Sequence, residues 1–276
     1  MVRPWGSLVE AVRSTVRENM GLEQRHTGVG RGGRGFTLVD VLVSVAVISV
    51  LIGLLMPSFA MVRESARRVK CSSNLRQIGL GLHMYGQSSN EYLPASVFLP
   101  QSAYHRASSD GMPELMDTVR TEVGAFPARQ WGEWDGIGLL FAEEYLSAPG
   151  VFYCPSHPGD HPFNRYERLW SESQGEIVSN YQYRGVGPGG ERRLFMINSE
   201  AAIVTDMLRS FSDLNHKGGL NLLKAGLAVN WFEDTGDQIA GLMSRNAGGN
   251  SSQTVSDAWT RLDGGSSGDD ETGGED

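Results

Sequence analysis

Metal-ligand side chains crowd into one short stretch, Cys154-Pro-Ser-His157-Pro-Gly-Asp160-His161, in a chain with only 6 histidines and 2 cysteines. In composition this resembles a metal cluster. By spacing it is not a ready-made one, because Pro155 and Pro158 prevent a helix from setting His157 and His161 on one face, four residues apart. A polar loop is the expected reading. Downstream, His216 follows Asp206 closely enough to suggest a dyad, yet no Gly-x-Ser-x-Gly elbow or paired Cys-His motif accompanies it. The expectation is therefore a chain with no catalytic residue, no metal centre and no cofactor. Cys71 and Cys154 can form one bridge at most, too few for a four-thiolate zinc site.

The most isolated ionisable group is Asp40. It is the sole charge in Phe36 to Met56, 21 residues reading FTLVDVLVSVAVISVLIGLLM. As a helix this run is about 31 Å long, enough to cross a hydrocarbon core of about 30 Å. A carboxylate inside a bilayer costs roughly 2.5–3.5 kcal/mol on insertion scales, so Asp40 needs a partner or a place near the interface. An acid near a helix N-terminus is also tolerated by the macrodipole. Basic residues flank both ends, Arg17, Arg25, Arg31 and Arg34 before the run and Arg63, Arg67, Arg68 and Lys70 after it, so charge does not fix the orientation.

The elements around these residues are readable in outline. The chain has 276 residues, 40% of them hydrophobic, and a formal charge of -8. It is too apolar for a disordered protein, and its acidic balance argues against binding nucleic acid. Residues 1–35 carry six Arg against three acids; 263–276 carry six acids, five Gly and no base and read as a solvated tail without calcium-loop spacing. From Pro57 the pattern turns amphipathic, with Leu75, Ile78, Leu82 and Tyr85 on one face, and predicts a helix to about Gly86. His83 beside that stripe reads as a core histidine. Strands are predicted at 151–154, 177–183, 201–207, 219–224 and 227–232, the last two joined by a tight turn at Ala225-Gly226. Gly185 to Gly190 reads as a surface loop, and no repeat of fixed period is present.

Two stretches carry a family resemblance. Gly35-Phe36-Thr37-Leu38-Val39-Asp40, preceded by basic residues and followed by the apolar run, resembles the class III signal of type IV pilins and type II secretion pseudopilins. The resemblance implies cleavage by a prepilin peptidase between Gly35 and Phe36 and methylation of the new Phe36 amine. It implies that Asp40, at mature position five, assists assembly by pairing with that amine on its own or a neighbouring chain, and that Pro57 kinks the helix. Asp40 stands where the family generally has Glu, which is one methylene longer. Met20 offers a second start, with a sixteen-residue leader. Ser58-Phe59-Ala60 offers a competing secretory cleavage, although the apolar run exceeds the usual 7–15 residues or so of such signals.

Further on, Cys71-Ser-Ser-Asn-Leu-Arg-Gln-Ile-Gly79 and Cys154-Pro155-Ser156 resemble a subgroup of pilin-like proteins whose head is a domain of unknown function. A third motif of unknown role is matched by His216, Gly218, Gly219 and Asn221, with Ala225-Gly226 in place of the family's Asp-Gly and one residue short. If the head is exported, Cys71 and Cys154 meet oxidising conditions; a disulfide and two buried thiols both fit the sequence.

The fold expected from residues and resemblance together is α+β and pilin-like: a long N-terminal spine helix, one half membrane and one half amphipathic, packed on a small antiparallel sheet. Its expected parts are a basic leader (1–35), a transmembrane half-helix (36–57), an amphipathic half-helix (58–90), an extracytoplasmic head (91–262) and an acidic tail (263–276). The expected role is a single-pass structural subunit in the cytoplasmic membrane, with the prepilin peptidase, sister subunits and an assembly platform as partners. A tethered binding module that does not polymerise is the alternative, and a membrane-tethered metal hydrolase the third reading.

Overall fold

The computed structural model describes residues 36–96, 116–121, 134–172, 174–246 and 251–264. Gly35, the leader, and the tail beyond Gly264 lie outside these. The described fold is α+β, and the chain divides into two units, Met1–Leu55 and Met56–Asp276.

Helix α1 spans Leu38–Ser88. It opens on a capping box: Asp40 N–H donates to Thr37 Oγ1 at 3.2 Å, and Thr37 N–H donates to Asp40 Oδ2 at 3.0 Å. In the first unit its side chains are exposed all round. Leu38–Met56 has a mean hydropathy of 2.8 and is 0% buried, long and apolar enough to cross a membrane.

In the second unit, α1 becomes one-sided. Cys71, Leu75, Ile78, Leu82 and Tyr85, alternately four and three residues apart, are all buried, whereas Leu80 and Met84 remain exposed. The helix ends at Ser88, two residues past the expected Gly86, with Asn90 and Glu91 turning the chain at φ 51° and 67°.

Four strands form the main sheet: β3 (Tyr181–Tyr183), β4 (Ala202–Asp206), β5 (Gly219–Lys224) and β6 (Val229–Glu233), neighbours in that order and antiparallel throughout. Its two faces have different covers. Ile203, Val204 and Leu223 join the buried face of α1, together with the aromatic side chains of Phe152, Tyr153 and Trp170. Leu220 and Leu222 point the other way, into a cluster with Val255, Ala258 and Trp259. Those three belong to helix α4 (Ser252–Leu262), capped by Ser251 Oγ accepting from Thr254 N–H at 3.2 Å. A four-residue α2 (Leu139–Ala142) and α3 (Phe163–Glu172) complete the helices. The small sheet β1 (Thr118–Arg120) with β2 (Ile177–Val178) is separate.

Three local expectations change. Residues 151–154, read as a strand, begin inside a 3₁₀ turn, Pro149–Phe152; Pro149 supplies the helical φ, and Val151 N–H closes on Ala148 O at 3.0 Å. The strand expected at 177–183 is two strands in two sheets, because Ser179 Oγ donates to Tyr181 O at 2.9 Å and breaks the ladder. The hairpin turn is one residue longer than Ala225-Gly226: Lys224 N–H bonds Ala228 O at 2.8 Å, and Leu227, not Gly226, takes the left-handed position at φ 70°. Gly226 is instead needed for space, since a Cβ there would lie 3.0 Å from Ser199 Cβ.

Asp263, counted in sequence with the acidic tail, belongs to the folded head. It bonds Arg184 Nη1 at 2.5 Å and accepts from Ala202 N–H at 2.9 Å. The antiparallel sheet on the second half of the spine helix is as expected; α3, α4 and the second core layer are additions.

Candidate functional site

The grouping that looked like a metal site in sequence does not assemble. His157 donates from Nδ1 to Asn215 Oδ1 at 2.8 Å and accepts at Nε2 from His161 N–H at 3.2 Å, so both ring nitrogens are used. His161 Nδ1 meets Tyr166 OH at 2.6 Å. Burial holds His157 below the usual histidine range and brings His161 down to about 4, with Arg209 adding to the effect. Both are neutral structural imidazoles. Cys154 turns away from them.

What it turns toward lies far off in sequence. Cys154 Sγ is 3.3 Å from His216 Nε2. Cys71 Sγ, on the buried face of α1, donates to Asp206 Oδ1 at 3.1 Å. His216 Nε2 lies 3.9 Å from Asp206 Oδ2. One donor atom from each of these four buried residues lies within 4.8 Å of every other.

Sheet register explains the gathering. Tyr181 on β3 pairs with Asp206 at the end of β4, and Thr205 pairs with Leu222 on β5. The Asp206 carboxylate therefore sits where β5 begins, just after His216. There it accepts from Asn221 N–H at 2.7 Å, Asn221 Nδ2 at 3.4 Å and Asn215 Nδ2 at 2.9 Å. Tyr181 OH donates to Cys71 Sγ at 3.3 Å. Behind His216, Nδ1 is 2.6 Å from Glu64 Oε1, and Ser156 Oγ donates to both oxygens of Glu64 at 3.1 and 2.9 Å.

The electrostatics follow from this crowding. Burial lowers the readiness of His216 to hold a proton, but Cys154 and the Asp206 and Glu64 carboxylates outweigh it and raise the imidazole to about 9. Burial, reinforced by Cys154 and Asp206, pushes the Cys71 thiol far up. For Cys154 burial also acts upward, but hydrogen bonds from Cys71 and His216 prevail and leave it below its ordinary value. Chemically, the arrangement offers two sulfurs, an imidazole and a carboxylate to a common point. Cys71 and Cys154 are neighbours there, as free thiols.

The remaining residues singled out in sequence divide between site and scaffold. Asn221 holds Asp206, and Gly218, at φ 77°, turns the chain between His216 and β5. A Cβ on Gly219 would collide with Phe232 O and the Trp231 ring. Arg68 lies over the Trp231 ring at 3.3 Å, and that ring meets His216 edge-on at 5.7 Å. His83 is half-buried rather than in the core, and its Nε2 bonds Ala225 O at 3.0 Å. Phe36 is 88% exposed, Asp40 caps α1, and Pro57 lies within α1. Glu64 went unremarked in the sequence; its only signal is that it lies seven residues before Cys71, two turns along one helix face.

Beside Cys154, a cavity of about 410 Å³ is lined by Lys70, Asn74, Tyr153, His157 and Phe163 among others.

A family model described as a protein of unknown function (DUF1559) matches residues 61–195. No curated protein and no solved structure matches the chain.

Proposed function

We propose that this chain is a pilin-like structural subunit, cut after Gly35, held in the cytoplasmic membrane by residues 36–57, and presenting residues 58–263 as an extracytoplasmic head for a type II secretion or type IV pilus-like filament. One observation carries the reading: α1 has a 19-residue stretch of mean hydropathy 2.8 with nothing buried, and later turns a single apolar face into an α+β head. A soluble core helix would bury the stretch; a removable signal would not continue into the core of the mature domain. The family match at 61–195 covers the Cys71 and Cys154 motifs, which resemble the pilin-like subgroup with a head of unknown function; the Gly35–Asp40 signal lies outside it. The prepilin peptidase, sister subunits and an assembly platform are the partners this role requires.

The capping box bears on assembly. Asp40 already has Thr37 N–H as a partner within its own chain. Cleavage after Gly35 would create an ammonium on Phe36, one residue from Thr37, and give Asp40 a stronger alternative.

A tethered binding module that does not polymerise is the second reading, favoured by the cavity beside Cys154.

The test is the mature N-terminus of protein taken from its native membrane, by intact mass and terminal sequencing. A methylated Phe36 is expected. A start at Met61 would remove the membrane helix and sink the proposal, and an uncut chain would leave the tethered module. Crosslinks between single-cysteine variants along 38–56 then separate filament subunit from monomer.

A further inference from the structure

Four elements contribute one side chain each to the cluster: Cys71 from α1, Cys154 from the segment after the 3₁₀ turn, Asp206 from the end of β4, and His216 from the loop before β5. We propose that Cys71, Cys154, Asp206 and His216 bind one tetrahedral zinc-type divalent ion, which fastens the spine helix to the sheet. This inference is independent of whether the chain polymerises.

The distances fit. Zinc bonds of about 2.3 Å to sulfur and 2.0–2.2 Å to nitrogen or oxygen place tetrahedral donors roughly 3.3–3.8 Å apart. Here the separations are 3.1 Å for Cys71 Sγ–Asp206 Oδ1, 3.3 Å for Cys154 Sγ–His216 Nε2 and 3.9 Å for His216 Nε2–Asp206 Oδ2, and one donor atom from each residue lies within 4.8 Å of every other, so the set contracts on binding. Small side-chain adjustments close the set. Two thiolates with an imidazole and a carboxylate form a donor set that suits zinc.

The surroundings are those of a metal site, and this second observation separates the cluster from a chance meeting of polar groups. A ligating histidine usually gives its other ring N–H to a carboxylate. Glu64 takes that part at 2.6 Å from Nδ1, directing the Nε2 lone pair inward. Ser156 fixes Glu64 in turn, Asn215 and Asn221 fix Asp206, and Tyr181 donates to the Cys71 sulfur. The side chains of His216, Asp206 and Cys71 are thus anchored from outside the set, and Cys154 is held through its backbone, whose N–H donates to Asn180 Oδ1.

Binding is an exchange without redox change. Four metal–ligand bonds form as the protons held on the two sulfurs and on His216 Nε2 leave to buffer, and His216, then neutral, keeps the Nδ1 proton that it gives to Glu64. Three ligand negative charges then meet two positive ones on the ion. Because all four positions come from protein, none stays open for water or substrate, so the role is structural rather than hydrolytic. Metal binding to such a set contributes directly to folding.

The experiment uses the full chain, extracted in detergent without chelator, with zinc and then cobalt as probes. One zinc per chain is expected, with both thiols unreactive until a chelator is added. Cobalt exchange into the unmutated chain is expected to give thiolate-to-cobalt charge-transfer absorption, which needs no variant to fold. Cys71→Ser and Cys154→Ser should each weaken that band, Glu64→Gln should lower zinc affinity by about 10–100-fold, and His157→Ala should leave it intact. Zinc content no higher than in the Cys71→Ser/Cys154→Ser double variant would overturn the proposal, as would a Cys71–Cys154 disulfide in the unreduced mass, or a Cys154 thiol that alkylates freely before chelation.

Discussion

His216 turns its Nδ1 to the Glu64 carboxylate at 2.6 Å across 152 positions of sequence, and so ties the loop before β5 to the spine helix. The His216 side chain is fully buried, whereas that of Glu64 is 40% exposed, so solvent weakens the pair without removing it. In a double-mutant cycle of Glu64→Ala and His216→Ala, unfolding free energies in urea should show a coupling of about 1 kcal/mol. Strictly additive losses would mean that the contact contributes nothing.

Asp117 sets a pH dependence. Its carboxyl is buried, Oδ1 has no hydrogen-bond partner among the described residues, and burial pushes it up to about 7 against partial relief from Arg209 at 3.3 Å. A folded value above the unfolded 3.8 means that the unfolded chain gives up this proton first. The associated stability is present below about pH 4, falls as pH rises through 7 and is then gone. Asp117→Asn should flatten that slope and be the more stable form at pH 8, by an amount of order 4 kcal/mol. Parallel stability curves for the two proteins between pH 4 and 8 would refute this.

The adjacent glycines should fail for different reasons. Gly218 has open space around its missing Cβ but sits at φ 77°, so Gly218→Ala costs only backbone strain, roughly 1–2 kcal/mol, and Asn is tolerated better. Gly219 faces Phe232 O and the Trp231 ring, so Gly219→Ala must displace β6, at about 1–3 kcal/mol. Thermal unfolding of Ala and Asn variants at both positions separates them: Asn should rescue only position 218.

The apolar stretch can be probed at its centre. Val47 is 52% exposed with no charged residue near it in sequence. Val47→Lys should cost roughly 2.5–3.5 kcal/mol of insertion and shift protein from the carbonate-resistant membrane fraction to the extractable one. Unchanged retention would argue against 38–56 as the anchor.

Sequence alone determined whatever depends on local period and composition. The apolar run from Phe36, whose sole charge is Asp40, and the strands expected at 201–207 and 219–224 are read from composition, and the buried stripe Leu75, Ile78, Leu82 and Tyr85 from a helical period of about 3.6 residues. Competition between local and longer-range bonding was less legible: Ser179 divides what looked like one strand, and Leu227 occupies the turn position that Gly226 seemed made for. The cluster of Cys71, Cys154, Asp206 and His216 was decided by tertiary structure alone. Cys154 has His157 three residues away, yet it faces His216, 62 residues on, because the loop histidines satisfy each other while antiparallel register carries Asp206 and His216 together against α1. Such proximity is a property of strand pairing and helix packing, which no spacing along the chain encodes.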